Sequence, residues 1–152
     1  MPLNVGDIAP DFTLPSTTGV DFSLSKDKKD LPVVIYFYPK DFTPGCTREA
    51  CEFRDHFSFF QDLGIDVYGI SRDNIATHDD FKKAMKLPFE LLSDRSGKVA
   101  GLYKASIPLI NFTRRVTYLL DKQHRIAAVY ENLFGAEKHI KEMIAKVNAA
   151  GN

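Results

Sequence analysis

The only two cysteines of this 152-residue chain, Cys46 and Cys51, lie in the run Tyr38-Pro39-Lys40-Asp41-Phe42-Thr43-Pro44-Gly45-Cys46-Thr47-Arg48-Glu49-Ala50-Cys51. Thr43 followed by Pro44 is a helix-start signal, with a hydroxyl at the N-cap and proline at the first helical position, where its missing N–H costs nothing. Cys46 therefore falls in the first helical turn. Unpaired backbone N–H groups and the positive end of the helix dipole favour an ionised group there. The ionised form of cysteine is the nucleophile, so redox catalysis is the first chemistry to expect.

The two sulfurs leave the helix on different sides. At about 100° per residue, Cys46, Ala50, Phe53, Phe57 and Phe60 fall within roughly 40° of one line, the stripe that a sheet-packing helix buries. Cys51 lies about 140° round from Cys46, toward Arg48 and Asp55. An intact helix holds the two Cα atoms about 8 to 9 Å apart, whereas a disulfide needs less than about 7 Å. Pairing of these thiols thus demands that the first turns unwind. The alternative is that both are buried structural cysteines, the common fate of free thiols.

Several elements must position this run. Leu31 to Tyr38 is apolar, β-branched and aromatic and reads as a buried strand that Pro39 stops. The helix that follows is expected from Pro44 to Leu63, with Gly64 as its stop. Phe12-Thr13-Leu14 and Val20 to Leu24 flank Thr18-Gly19 as a small N-terminal hairpin, and Asp27 to Asp30 is a charged connection. Ile65 to Ser71 reads as a second core strand, Ile75 to Met85 as a helix ended by Leu87-Pro88, Phe89 to Leu92 as a short extended segment and Val99 to Leu102 as a helical turn. Arg115 to Leu120 and Ile126 to Tyr130 form a hairpin through Asp121-Lys122-Gln123-His124, where His124 must tolerate positive φ. Ala136 to Val147 is an amphipathic closing helix. Strands alternating with helices favour an α/β fold with a mixed β-sheet flanked by helices.

Pro39 to Cys46 resembles the Pro-x-x-x-Thr-x-x-Cys signature of peroxiredoxins, and a second cysteine five residues on is similar to the bacterioferritin comigratory protein (PrxQ) group. The likeness extends through Val5-Gly6-Asp7-Ile8-Ala9-Pro10-Asp11-Phe12, Thr47 to Asp55, Val67-Tyr68-Gly69-Ile70-Ser71 and Arg115 to Asp121. It implies a thioredoxin-like fold with the active cysteine after the first core strand. It also implies a thiol-dependent peroxidase acting on hydrogen peroxide and organic hydroperoxides. In that reading Cys46 is the peroxidatic nucleophile that becomes a sulfenic acid, and Thr43 bridges substrate oxygen and sulfur. Pro39 shields the pocket, Gly45 joins the substrate wall, and Arg115 holds the thiolate and stabilises charge on the leaving oxygen. Cys51 is the resolving residue, closing an intramolecular disulfide that thioredoxin or a similar dithiol reduces.

Arg114 and Arg115, consecutive in a strand, point to opposite faces; Arg115 matches the family spacing from Thr117 and shares a face with Thr117 and Leu119. Glu49 either orients Arg115 by an ion pair or is an ordinary exposed helix charge. The segment Tyr103 to Arg114 departs from the family pattern in being glycine-free and strongly apolar at its centre, Ile107 to Phe112. That centre lines the pocket mouth, meets another protein, or faces the core.

Composition sets the remaining bounds. A chain of 152 residues with 20 acidic and 20 basic side chains carries formal net charge of zero and suggests one domain over residues 1–152, with no nucleic-acid surface. Membrane spans are not expected, and the cytoplasm is the expected compartment. A monomer or weak homodimer is expected, with no cofactor. Rival readings are a peroxide-sensing redox switch and a thioredoxin-like disulfide oxidoreductase, although the latter wants Cys-x-x-Cys. A metal protein would draw on the cysteines with His56, His78, His124 and His139, none of which form an i, i+4 histidine pair.

Overall fold

A computed structural model describes residues 2–107, 109–110, 112–131, 141–143 and 145. Its elements in chain order are β1 (Thr13–Leu14), β2 (Phe22–Ser23), α1 (Leu24–Asp27), β3 (Val33–Phe37), α2 (Pro44–Asp55), α3 (Phe57–Asp62) and β4 (Asp66–Ser71). Then follow α4 (Ile75–Met85), β5 (Glu90–Ser93), α5 (Lys98–Leu102), β6 (Ser106–Ile107), β7 (Phe112–Thr113), β8 (Val116–Leu120) and β9 (Ile126–Glu131). Five strands make the main sheet in the order β5-β4-β3-β8-β9, with β3, β4 and β5 parallel and β8 antiparallel to both β3 and β9. The sheet is mixed and flanked by helices, the α/β architecture expected.

The central strand β3 is buried at every position because both sheet faces are covered, which is why its sequence is continuously apolar. Alternation divides its side chains. Val33, Ile35 and Phe37 join Phe12, Phe22, Val116, Tyr118 and Leu120 on one face; Val34 and Tyr36 join Cys46, Ala50, Phe53, Phe60 and Leu119 on the other. Full burial of each large apolar side chain contributes about 1.5 to 3 kcal/mol, so the Cys46 stripe anchors α2 to the sheet. Gly69 is required by packing: a Cβ there would lie 2.7 Å from Tyr36 Cζ and 2.9 Å from Leu91 Cδ2. The parallel strand beside β3 thus keeps a bare backbone where the Tyr36 ring crosses it.

The helix expected over Pro44 to Leu63 is two helices. The chain leaves helical geometry at His56 (φ −108°, ψ 10°) before α3 begins. The His56 ring Nδ1 lies 2.9 Å from the Glu52 carbonyl, the same oxygen that accepts the His56 backbone N–H, and such local bonds compete with helix continuation. Gly64 still ends the pair with φ +71°. β3 is shorter than expected because Pro32 has no N–H and Leu31 is exposed. At the N-terminal hairpin, Leu24 turns inward and starts α1 instead of extending β2.

Elsewhere the limits of α4 match the expectation, with Asn74 Oδ1 capping Thr77 N–H at 2.8 Å and Lys86 closing the helix in the left-handed region. His124 takes φ +59° in the β8–β9 turn, which Asp121 Oδ1 holds by accepting the N–H groups of Gln123 and Arg125. Of the closing helix, 141–143 and 145 are helical and Met143 is buried on the Cys46 face; the rest of Ala136 to Val147 lies outside the described residues.

Candidate active site

The run from β3 to α2 places a thiol under a guanidinium. Thr43 is the backbone N-cap of α2 (φ −76°, ψ 149°) and Pro44 opens the helix, as expected from the sequence. The Thr43 hydroxyl, however, does not cap: it donates to the Lys40 carbonyl at 2.8 Å, tightening the preceding turn. The first helical bond runs from Thr47 N–H to the Thr43 carbonyl. The amides of Gly45 and Cys46 are left unused by the helix at its positive end.

Cys46 is only 1% exposed, and Arg115 Nη2 donates to its Sγ at 3.0 Å. The same guanidinium gives Nη1 to Glu49 Oε1 at 2.9 Å. Glu49 is therefore an ion-pair partner of Arg115 and not an exposed helix charge. Burial pushes its carboxyl up to about 7, against the opposing pull of Arg115. Arg115 Nε is buried without a protein partner among the described residues, a donor that an incoming oxygen could satisfy.

Strand alternation selects which arginine does this. Arg115 lies just before β8 on the face of Thr117 and Leu119, whereas Arg114 turns away, donating to the Lys104 carbonyl at 2.7 Å and approaching Glu131 at 3.7 Å. A cavity of about 740 Å³ opens beside the guanidinium, and Pro39, Thr43, Gly45 and Arg115 all line it. Neither cysteine lines this cavity: Cys46 is buried beside Arg115, and Cys51 is a free, half-buried thiol farther along α2. With both cysteines inside one intact helix, their separation is the helical one, too long for a disulfide.

Arg72 and Arg95 also line the cavity and were missed from the sequence. A usable signal existed: each follows the C-terminal end of a parallel strand, β4 and β5, where open α/β sheets bind ligands. Phe112 lines the same cavity, while Ile107, Leu109 and Ile110 are exposed on the β6–β7 hairpin, so this apolar segment does not face the core. Pro108 and Asn111 lie outside the described residues. Of the histidines, His78 joins the carboxylates of Asp41 and Asp73 within 4.8 Å, the one such group found among the described residues. All three side chains are engaged in hydrogen bonds within the protein.

The sequence profile of the AhpC/TSA family matches residues 5–129. Among curated relatives, a rice (Oryza sativa subsp. japonica) peroxiredoxin Q, chloroplastic, is 48% identical over 140 residues, covering 91% of this chain. The chain spans 64% of that relative's own length. A Coxiella burnetii protein carrying the name peroxiredoxin bcp is 40% identical over 153 residues, covering 97% of this chain and 100% of its own. Among solved structures, the peroxidoxin BcpB of Mycobacterium tuberculosis superposes with a TM-score of 0.89 at 33% identity, covering 97% of each chain. A mutant PrxQ from Xylella fastidiosa superposes with a TM-score of 0.87 at 27% identity, over 100% of this chain and 99% of its own.

Proposed function

The chain belongs to the AhpC/TSA family and, within it, to the peroxiredoxin Q/Bcp group, and on that premise we propose that it is a thiol-dependent peroxidase with Cys46 as the nucleophile. The observation that carries this reading is the 3.0 Å hydrogen bond to the buried Cys46 sulfur from Arg115, a residue that also lines a cavity wide enough for a hydroperoxide. A buried cation donating to sulfur stabilises the thiolate and is already in place for charge that develops on the leaving oxygen.

In the proposed cycle the thiolate attacks one peroxide oxygen and the O–O bond breaks. The second oxygen leaves as alkoxide or hydroxide and takes up a proton to become an alcohol or water. Cys46 is then a sulfenic acid. Cys51 attacks that sulfur, a disulfide forms and water departs. An external dithiol, thioredoxin by the family resemblance, reduces the disulfide and returns both thiols. Because α2 in its intact form holds the cysteines too far apart, the second step includes unwinding of its first turns. Substrates are hydrogen peroxide and organic hydroperoxides, the compartment is the cytoplasm, and the working form is a monomer or weak homodimer.

Mass spectrometry after one equivalent of hydrogen peroxide tests the chemistry, with an intramolecular bond between Cys46 and Cys51 as the expected product. Steady-state peroxide consumption with a thioredoxin system tests turnover. A single oxidation that then stalls would make the protein a sensor and not a peroxidase.

A further inference from the structure

We infer that the buried Asp41–His78 pair is the positioning device of the active-site loop, holding Thr43 and Cys46 in the wound, peroxide-ready form and setting how readily α2 opens. This rests on the peroxidase reading only for its kinetic consequences; the structural claim stands by itself.

Asp41 lies in the loop between β3 and α2, two residues before Thr43. Its side chain and that of His78 are both fully buried. Tyr38 donates its hydroxyl to Asp41 Oδ1 at 2.6 Å, and Asp41 Oδ2 faces His78 Nδ1 at 2.6 Å. The other ring nitrogen of His78, Nε2, lies 2.9 Å from the Leu92 carbonyl. Asp41 N–H donates to Asp73 Oδ2 at 2.8 Å, and that oxygen also accepts from Ser71 Oγ at 2.6 Å. One side chain in the loop is thereby tied to the chain leaving β3, to α4 and, through His78, to β5, while the backbone N–H of the same residue is tied to the turn after β4.

Both imidazole nitrogens face acceptors, so the pair is satisfied only when Asp41 and His78 share a proton between them. Removing either partner strands the other in a dry site, the costly case for a buried polar group. Apart from the backbone bond from Asp41 N–H to Asp73, little else fixes the loop. Thr43 bonds back to Lys40 within the loop itself, and Phe42 sits half-exposed at φ +66°, a geometry unfavourable to a bulky residue, with its ring against Phe81 at 5.1 Å. Asp41 immediately precedes that strained residue and so fixes the direction in which the chain enters the Thr43 cap. Released from Asp41, the loop gains conformational freedom, and the equilibrium moves toward the unwound form in which Cys46 can reach Cys51.

Amide hydrogen exchange on the reduced protein tests this, comparing peptides over residues 43–48 with peptides over β3 and β4 in wild type, Asp41→Ala, His78→Ala, Tyr38→Phe and Asp41→Asn. The two alanine variants should lose about tenfold or more in protection at 43–48 while the strands keep theirs, the mark of local opening. Tyr38→Phe, which removes a single bond to Asp41, should give a smaller loss at the same residues and decides the matter if the alanine variants do not fold. Asp41→Asn can still accept from Tyr38 and donate to a neutral His78 Nδ1, and should stay within about threefold of wild type. Stopped-flow oxidation should show the alanine variants reacting with hydrogen peroxide about tenfold more slowly while their sulfenic acid closes to the disulfide faster, opposite changes that a population shift produces. Unchanged exchange at 43–48, equal loss across the strands, or both chemical steps slowing together would overturn the inference. If wild type proved inert to peroxide, the peroxidase reading would fail and the exchange arm would still decide this one.

Discussion

Cys46 is buried with a guanidinium at 3.0 Å that itself lines the cavity, whereas Cys51, on the same helix, is half-buried and within the electrostatic reach of Arg54. Only four residues separate them in sequence; their surroundings are set by the face of α2 each occupies. One face packs on the sheet, where the residue before β8 can deliver Arg115. The other carries Cys51 clear of that guanidinium. The difference teaches that the two thiols are separated here by helical phase, so that on the proposed cycle their meeting is a conformational event and not a matter of side-chain rotation.

The contrast can be broken or sharpened at four positions, ranked by their effect on the first oxidation step. Cys46→Ser should abolish peroxide consumption, seen as loss of more than about a thousandfold in steady-state rate, since no other group replaces the nucleophile. Activity surviving in this variant would move the chemistry to Cys51 and reverse the comparison. Arg115→Gln should slow oxidation of the reduced protein by about 10²- to 10³-fold in stopped flow, the usual cost of one preorganised donor. Glu49→Gln should slow it by no more than about tenfold, because Glu49 acts by orienting Arg115. Cys51→Ser should leave the first oxidation within about threefold of wild type and block the disulfide, with mass spectrometry showing sulfenic and higher oxides of Cys46 instead.

Glu49 adds a pH signature. Its carboxyl sits near 7 in the folded protein against an ordinary 4.5, chiefly through burial. Between those values the folded state holds a proton that the unfolded chain has released, so Glu49 supports stability fully below about 4.5 and loses that contribution as pH climbs through about 7. Denaturant midpoints of wild type and Glu49→Gln should therefore diverge across this window, by an amount on the order of 1–3 kcal/mol. Parallel pH profiles would mean that Glu49 titrates as an ordinary surface acid.

Much of the site was legible because its logic is local. Thr43-Pro44 fixed the helix start, the 100° rotation separated the two cysteines, and strand alternation separated Arg115 from Arg114. What escaped depends on partners distant in sequence. Nothing near Asp41 announces His78, 37 residues away, because a buried hydrogen-bonded pair leaves no periodic trace. The Thr43 hydroxyl turns to Lys40 because the loop folds back on itself, which a capping rule does not foresee. Arg72 and Arg95 become cavity residues only once β3, β4 and β5 run parallel and end on the same edge.

The interruption at His56 limits how far any disturbance at the front of the active-site helix can travel. Helical order is cooperative along an uninterrupted stretch, and here the stretch containing both sulfurs ends one residue before the break. Melting it sacrifices about three turns, while Phe60 on the far side stays seated in the core with the Gly64 turn and β4 behind it. On the proposed cycle, opening is thereby confined to the helix that carries both sulfurs, at the cost of the core packing of Ala50 and Phe53, while the helix after His56 keeps its place.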